Sequence, residues 1–446
     1  MSILLTLTGG GSDSSFFLDL LTKSAILSAG GKNMAQKKMQ KKQLSLFDLI
    51  SKSTSARDQV KEMLSFRAAD VEGKRLSHWR GIVALPPGSL AEVVVSEFQR
   101  KTNIPLELPF FTLLHWVAAY LLKHDVSLRL PGSEGVVKPD LWTVLLASSG
   151  AGKSWTQKRI YKSLEMGELA FPGGIASAAK FVQELAEHNK SIWIKDEFGQ
   201  FLKALSNQTH LEEIKAYLLS LHDNETIERK TQKYSVTVED AALVILGFTV
   251  WETFPEQVSA EDVLDGFAQR FSYIVAERDE KRAMIDYPIW NLNSESWKER
   301  WDTLVKKIAH PEYVISQGAM DGYKIAFSML YNEQIPESFY RRLLWRAHKY
   351  ALVYHILRGQ GHQKELAAED YGWAGRVLYL HVHDAMRLLD SHGLSDFEKV
   401  LRKTEALRDR FKEEGRVLKA RDVVAGVRGV RSAQEAKAVL SIIDEK

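Results

Sequence analysis

The sequence has no cysteine among its 446 residues. That excludes structural disulfides, cysteine-ligated zinc and thiol catalysis, and it fits a reducing cytoplasm. No stretch reaches the roughly 18 consecutive apolar residues of a membrane span, so no membrane partner is expected. No secretory leader is expected from this start either. Residues 1–33 lack a positive start, and Asp19 and Lys23 interrupt their apolar stretch. The net charge is only +3, too small to argue for nucleic acid unless the basic residues cluster. No internal repeat is visible, and no low-complexity tract follows residue 42.

What is present has ordinary globular composition, 45% hydrophobic and 26% charged. The length calls for more than one domain. Residues 1–55 read as a mobile N-terminal arm. Its first 33 residues are Gly- and Ser-rich and read as an upstream extension, because Met34 opens a more ordinary start. A solvated basic arm follows at 35–42. Residues 56–138 read as a helical N-terminal region whose strongly apolar stretch, 108–122, is a buried helix. Residues 139–290 alternate strand-like runs (141–147, 192–194, 241–247, 271–275) with helical patterns (155–164, 176–187, 214–221). That alternation predicts an α/β core on a parallel sheet. Residues 291–396 read as all-helical, with long helices over 339–357 and 366–389. Residues 397–446 read as a small basic helical unit.

Residues 147–154, ASSGAGKS, fit the phosphate-loop pattern with Ala147 in place of its first glycine. Each residue has a chemical reason. Gly150 and Gly152 let backbone N–H groups turn inward, and Ser148, Ser149 and Ala151 supply further loop amides. Lys153 reaches the β- and γ-phosphates of ATP, and the Ser154 hydroxyl binds Mg2+. Trp155 opens the following helix, whose positive end faces the same anion. An apolar strand before the loop and a helix after it supply the context the motif requires.

Such a loop needs a carboxylate at the end of a neighbouring buried strand. The segment SIWIKDEFG at 191–199 provides Asp196 for the magnesium and Glu197 as general base. Lys195 departs from the usual apolar residue. Thr249, at the tip of the strand beginning at 241, is either a γ-phosphate sensor or structural. Arg270, in GFAQRF at 266–271, suits an arginine finger supplied to a neighbouring subunit, or else a salt bridge; Arg278 and Arg282 are weaker alternatives.

Taken in order, these motifs resemble the YfjI-like P-loop ATPases of phages, plasmids and integrated elements, a helicase-like and primase-associated family. The resemblance also rests on YLLSLHDNE at 217–225 with Arg229, ALVILG at 242–247 and WRAHKYALVYH at 345–355. It covers roughly residues 80–395. It implies a RecA/AAA+-like P-loop core, assembly into a homo-oligomeric ring, expected as a hexamer, and a role in replication of mobile DNA. No primase motif is visible, so priming would need a separate primase.

Three further signals concern partners. A helix-turn-helix or winged-helix-like pattern in 415–440 places Arg428 and Arg431 before its second helix, where they meet DNA, or else the segment is a solvated tail. A hairpin over 225–238 carries Lys230 and Lys233 either toward single-stranded DNA in a ring channel or simply into solvent. Gln43, Leu44, Leu46 and Phe47 resemble the peptide by which bacterial proteins bind the replication sliding clamp, or form the first turn of a covering helix. His381 and His383 are not helix-face neighbours and read as packing or surface residues. The expected activity is an ATP-dependent DNA motor. The alternative is an ATP-switched initiator or loader that binds DNA without unwinding it.

Overall fold

A short run of apolar residues bounded by turn residues fits a strand in a parallel sheet covered on both faces. The computed structural model builds the core on four such runs. It describes residues 85, 88–175, 177–207, 209–230, 235–258, 267–278, 292, 294–330, 337–392, 396–427, 430 and 432–444. All of these fall in one compact unit, Asp58–Lys446.

Two helices come first, α1 (Leu90–Lys101) and α2 (Glu107–Lys123), followed by the short strands β1 (Ser127–Arg129) and β2 (Val136–Val137). The sheet core opens with β3 (Trp142–Ala147), α3 (Lys153–Leu164), α4 (Ala178–Glu187) and β4 (Ser191–Lys195). It continues through α5 (Phe198–Asn207), α6 (Thr209–His222), the hairpin β5 (Ile227–Lys230) and β6 (Ser235–Val238), and β7 (Leu243–Val250). The short helix α7 (Phe254–Gln257), a 3-10 turn at Ala268–Arg270 and β8 (Ser272–Ala276) complete it. Then come α8 (Glu295–Val305), β9 (Glu312–Ile315), α9 (Gln317–Leu330), α10 (Glu337–Leu357), β10 (Glu365–Leu366) and α11 (Ala368–His392). The last helices are α12 (Asp396–Glu413), α13 (Ala420–Gly426) and α14 (Ala433–Asp444).

The main sheet is parallel, in the order β4-β7-β3-β8. The fold class is therefore α/β, as the alternation predicts. Successive strand residues point to opposite faces, and β8 shows what covers each. Ser272 Oγ accepts a hydrogen bond from Arg346 of α10 at 2.9 Å, whereas the next ring, Tyr273, meets Phe254 of α7 at 5.9 Å. On the α10 face lie α2 and α11 as well, joined through Phe111, His381 and Tyr350. On the other face Phe198 of α5 seats against β7, where a Cβ on Gly247 would lie 2.4 Å from its ring.

Two expectations are corrected here. The 291–396 region is not all-helical, and 56–138 is not purely helical. A second 4-stranded sheet, β10-β9-β1-β2, draws strands from both regions. Its strands are two to four residues long, shorter than any periodicity window. Helices α2 and α11 both pack on the main sheet.

At the C-terminal end, α12, α13 and α14 share a core of Val423, Val427, Val430 and Ala436, with Leu407 and Leu440 packed against it. Ser432 Oγ caps α14 by accepting the Glu435 N–H at 3.2 Å. Among the described residues of this unit there are helices but no strand, and so no wing.

Candidate functional site

β3 is buried along its whole length, and the chain leaves the sheet after Ala147. Ser148, Ser149 and Gly150 are exposed. Gly150 (φ 76°) and Gly152 (φ 85°) both take left-handed backbone, which bulkier residues resist. The Ala151 N–H closes the turn on the Ser148 carbonyl at 3.2 Å. Gly152 is the N-cap of α3 and has no side chain to satisfy the first-turn N–H groups. A helix start of this kind is a ready anion site.

The strand order decides what faces that helix start. β7 lies between β3 and β4, so the loop strand and the acidic strand are two spacings apart, about 9.5 Å. The first turn of α3 spans the gap. Ser154 Oγ donates to Asp196 Oδ2 at 2.8 Å. A hydroxyl and a carboxylate side by side are oxygen donors that suit Mg2+.

Lys153 Nζ curls over the loop and donates to the carbonyls of Ala147 (3.1 Å) and Ser148 (3.0 Å). Burial lowers its pKa, opposed by the charges of Glu197, Asp196 and Glu252. One ammonium therefore faces three carboxylates. Glu197 is exposed and holds a left-handed backbone (φ 54°) immediately before α5, and Gln200 Nε2 donates to its carboxylate at 3.3 Å. Thr249 is buried in β7, level with Leu146, and its hydroxyl has no hydrogen-bond partner among the described residues. It faces the start of α5, where a Cβ on Gly199 would lie 2.9 Å from it.

Sequence reasoning missed Glu252. Its Oε1 accepts the Ser148 hydroxyl at 2.6 Å. The available signal was its place two residues beyond the end of β7, but that has meaning only once β7 is known to lie beside β3. Trp155 turns away from the crevice, its ring edge-on to Phe98 of α1 at 5.8 Å. Lys195 lies over the rings of Trp193 (5.8 Å) and Phe201 (5.0 Å), so an apolar position takes a cation through its aromatic surroundings.

Arg270 is not part of this crevice. In the parallel register Ser272 pairs with Thr143 and Ala276 with Ala147. Arg270 therefore sits at the amino-terminal edge of the sheet, opposite the loop. It pairs with Asp223 at 2.9 Å, and its side chain is 13% exposed. Asp223 also accepts from His222, and this bond, ahead of Arg270, holds its carboxyl at about 2. Arg278, just past the end of β8, is exposed; Arg282 is outside the described residues.

Lys230 is exposed at the end of β5 and pairs with Glu228 at 2.5 Å. Lys233, Arg428, Arg431, Gln43, Leu44, Leu46 and Phe47 lie outside the described residues. His381 is buried and bonded to the Tyr350 hydroxyl at 2.8 Å, a packing histidine. No protein-family model matches the chain, and no curated protein matches it. Among the described residues no helix is long and apolar enough to cross a membrane.

Proposed function

We propose that the chain is a P-loop ATPase with a RecA/AAA+-like core that uses ATP hydrolysis to move along or unwind DNA. The observation that carries this reading is the Ser154–Asp196 contact at 2.8 Å, made across an intervening strand between a glycine-wound helix start and an acidic strand end. Ligands of open α/β sheets bind at the carboxyl ends of the strands, where the connections diverge. Here they diverge at β3, with β7 and β4 on one side and β8 on the other. The resemblance to YfjI-like ATPases points the same way.

The proposed chemistry follows from the residues. Loop amides and Lys153 hold the phosphates. Ser154 and Asp196 would hold Mg2+, which would neutralise phosphate charge. Glu197 takes the proton of the attacking water as its oxygen joins the γ-phosphorus. The bond from that phosphorus to the β–γ bridging oxygen breaks, leaving ADP and phosphate. Thr249, buried in β7 beneath the start of α5, would act as γ-phosphate sensor only through that helix start. Arg270, paired with Asp223 at the far edge of the sheet from its own loop, would have to leave that salt bridge to act as the finger of a neighbouring subunit.

The DNA part of the proposal draws on the helical pair α13–α14, packed on a shared core and with the second helix capped by Ser432, an arrangement compatible with helix-turn-helix units. That same pair favours a second reading, an initiator that binds duplex DNA and uses ATP as a switch. Steady-state ATPase and strand-displacement assays test both. The Lys153→Ala protein should lose about 10²–10³-fold in hydrolysis, as when one transition-state donor is removed. Undiminished hydrolysis in that variant would sink the ATPase reading. Hydrolysis without displacement of any strand would leave the switch.

A further inference from the structure

Glu252 is a carboxylate beside a site read as anion-binding, where charge alone makes it unwelcome. Its geometry shows what it does there. The ladder pairs Val250 with Ala147, and the Trp251 N–H continues it by donating to the Ala147 carbonyl at 3.3 Å. The next residue therefore lands beside the first exposed residue of the loop. Ser148 Oγ donates to Glu252 Oε1 at 2.6 Å. The Ser148 carbonyl in turn accepts from Lys153 Nζ at 3.0 Å and from the Ala151 N–H at 3.2 Å. Ser148 is thus the residue on which the loop turn, the loop lysine and Glu252 converge.

The backbone carrying Glu252 is braced from the other side. The Arg387 guanidinium of α11 lies over the Trp251 ring at 5.7 Å, and Arg387 also pairs with Glu277 just past β8. The tips of β7 and β8 are both tied to α11 in this way.

We propose that Glu252 is a positioning residue for the loop. It holds Ser148 and, through the Ser148 carbonyl, sets the turn of the loop and the station of the Lys153 amine. The proposal rests on the reading of the loop as a nucleotide cradle. Glu252 itself is assigned no contact with the phosphates.

The test uses the full chain with Glu252→Ala, Glu252→Gln, Ser148→Ala and the Glu252→Ala/Ser148→Ala pair. Two readouts are taken: amide exchange of residues 149–153 without nucleotide, and KM and kcat for ATP. Glu252→Ala should speed exchange at the Ala151 amide and raise KM about tenfold, the worth of one hydrogen bond to a charged group, with kcat little changed. Glu252→Gln keeps an acceptor oxygen and should recover most of the loss. Ser148→Ala should add nothing in the Glu252→Ala background, because both variants remove the same bond. Additive effects, a Gln variant as impaired as the Ala variant, or unchanged loop exchange would each overturn the proposal. So would a loss confined to kcat, which would put Glu252 among the reacting groups. If the unaltered chain binds no ATP, the ATPase reading fails, and loop exchange still decides the role of Glu252.

Discussion

At the scale of single residues, the site depends on atoms that are absent as much as on those present. Gly247 shows this best. Its missing Cβ leaves room for the Phe198 ring, which would otherwise lie 2.4 Å away. Phe198 follows Glu197 directly, so this packing holds Glu197, the proposed base, as well as the α5–β7 contact. Gly247→Ala should destabilise the fold by about 1–3 kcal/mol, as overpacking does. Urea unfolding measures that, and hydrolysis by the folded fraction should fall with it. An alanine variant of full stability and full activity would show that Phe198 is free to move. Lys195 teaches the converse. As a letter it broke the expected apolar pattern, yet its stem and ammonium are accommodated on Trp193 and Phe201.

At the scale of elements, β8 carries a liability that the chain meets with a side chain. Among the described residues it is the last strand of its sheet, with no strand beside its outward N–H groups. Asp384, fully buried on α11, accepts the Val275 N–H at 2.7 Å. Asp384→Ala would leave that donor buried without this partner, at a cost of about 1–3 kcal/mol. The expected outcome is a lower unfolding midpoint and faster exchange of the Val275 amide, with the β3 amides still protected. Unchanged exchange at Val275 would mean that water or another group takes over. The long helices α10 and α11 were readable from their amphipathic pattern to within about three residues. β1, β2, β9 and β10 were not. Strands of two to four residues are stabilised by partners distant in sequence, as when Ser127 pairs with Glu312.

At the scale of the whole molecule, buried histidines set the response to acid. Burial lowers the pKa of His115, His222 and His348 to about 4 each, and holds that of His381 well below the ordinary imidazole value. In the unfolded chain the same groups titrate near the ordinary imidazole value of 6.5. Between these values the unfolded state binds protons that the folded state refuses, so stability falls as pH drops. The contribution is complete above about 6.5 and is lost progressively toward 4. Asp223, held at about 2, adds a further loss only below its unfolded value of 3.8. Urea midpoints from pH 7.5 to 4.5 should therefore decline steadily. A flat profile would mean that these imidazoles are protonated in the folded state.

Arg270 also belongs to this scale. From Ser272 to Ala276 the sheet already spans about 13 Å, so a cation at its amino-terminal edge cannot serve its own loop. Mixing Arg270→Ala with Lys153→Ala subunits should restore part of the hydrolysis that each lacks alone, because one supplies the loop and the other the finger. No recovery at any ratio would confine Arg270 to its salt bridge with Asp223.

The chain by itself determined what depends on near neighbours: apolar runs that must be buried, a glycine-wound loop between strand and helix, an acidic pair closing a strand, and a hairpin at β5–β6. Lys153, Ser154 and Asp196 were legible for that reason. Tertiary structure alone decided that β7 enters between β3 and β4, that Glu252 arrives beside Ser148, that Arg270 faces away toward Asp223, and that two short pairs of strands join into a second sheet. Each of these rests on ladder register and strand order. Register is set by hydrogen bonds between segments tens to hundreds of residues apart, and no local pattern of residue types encodes it.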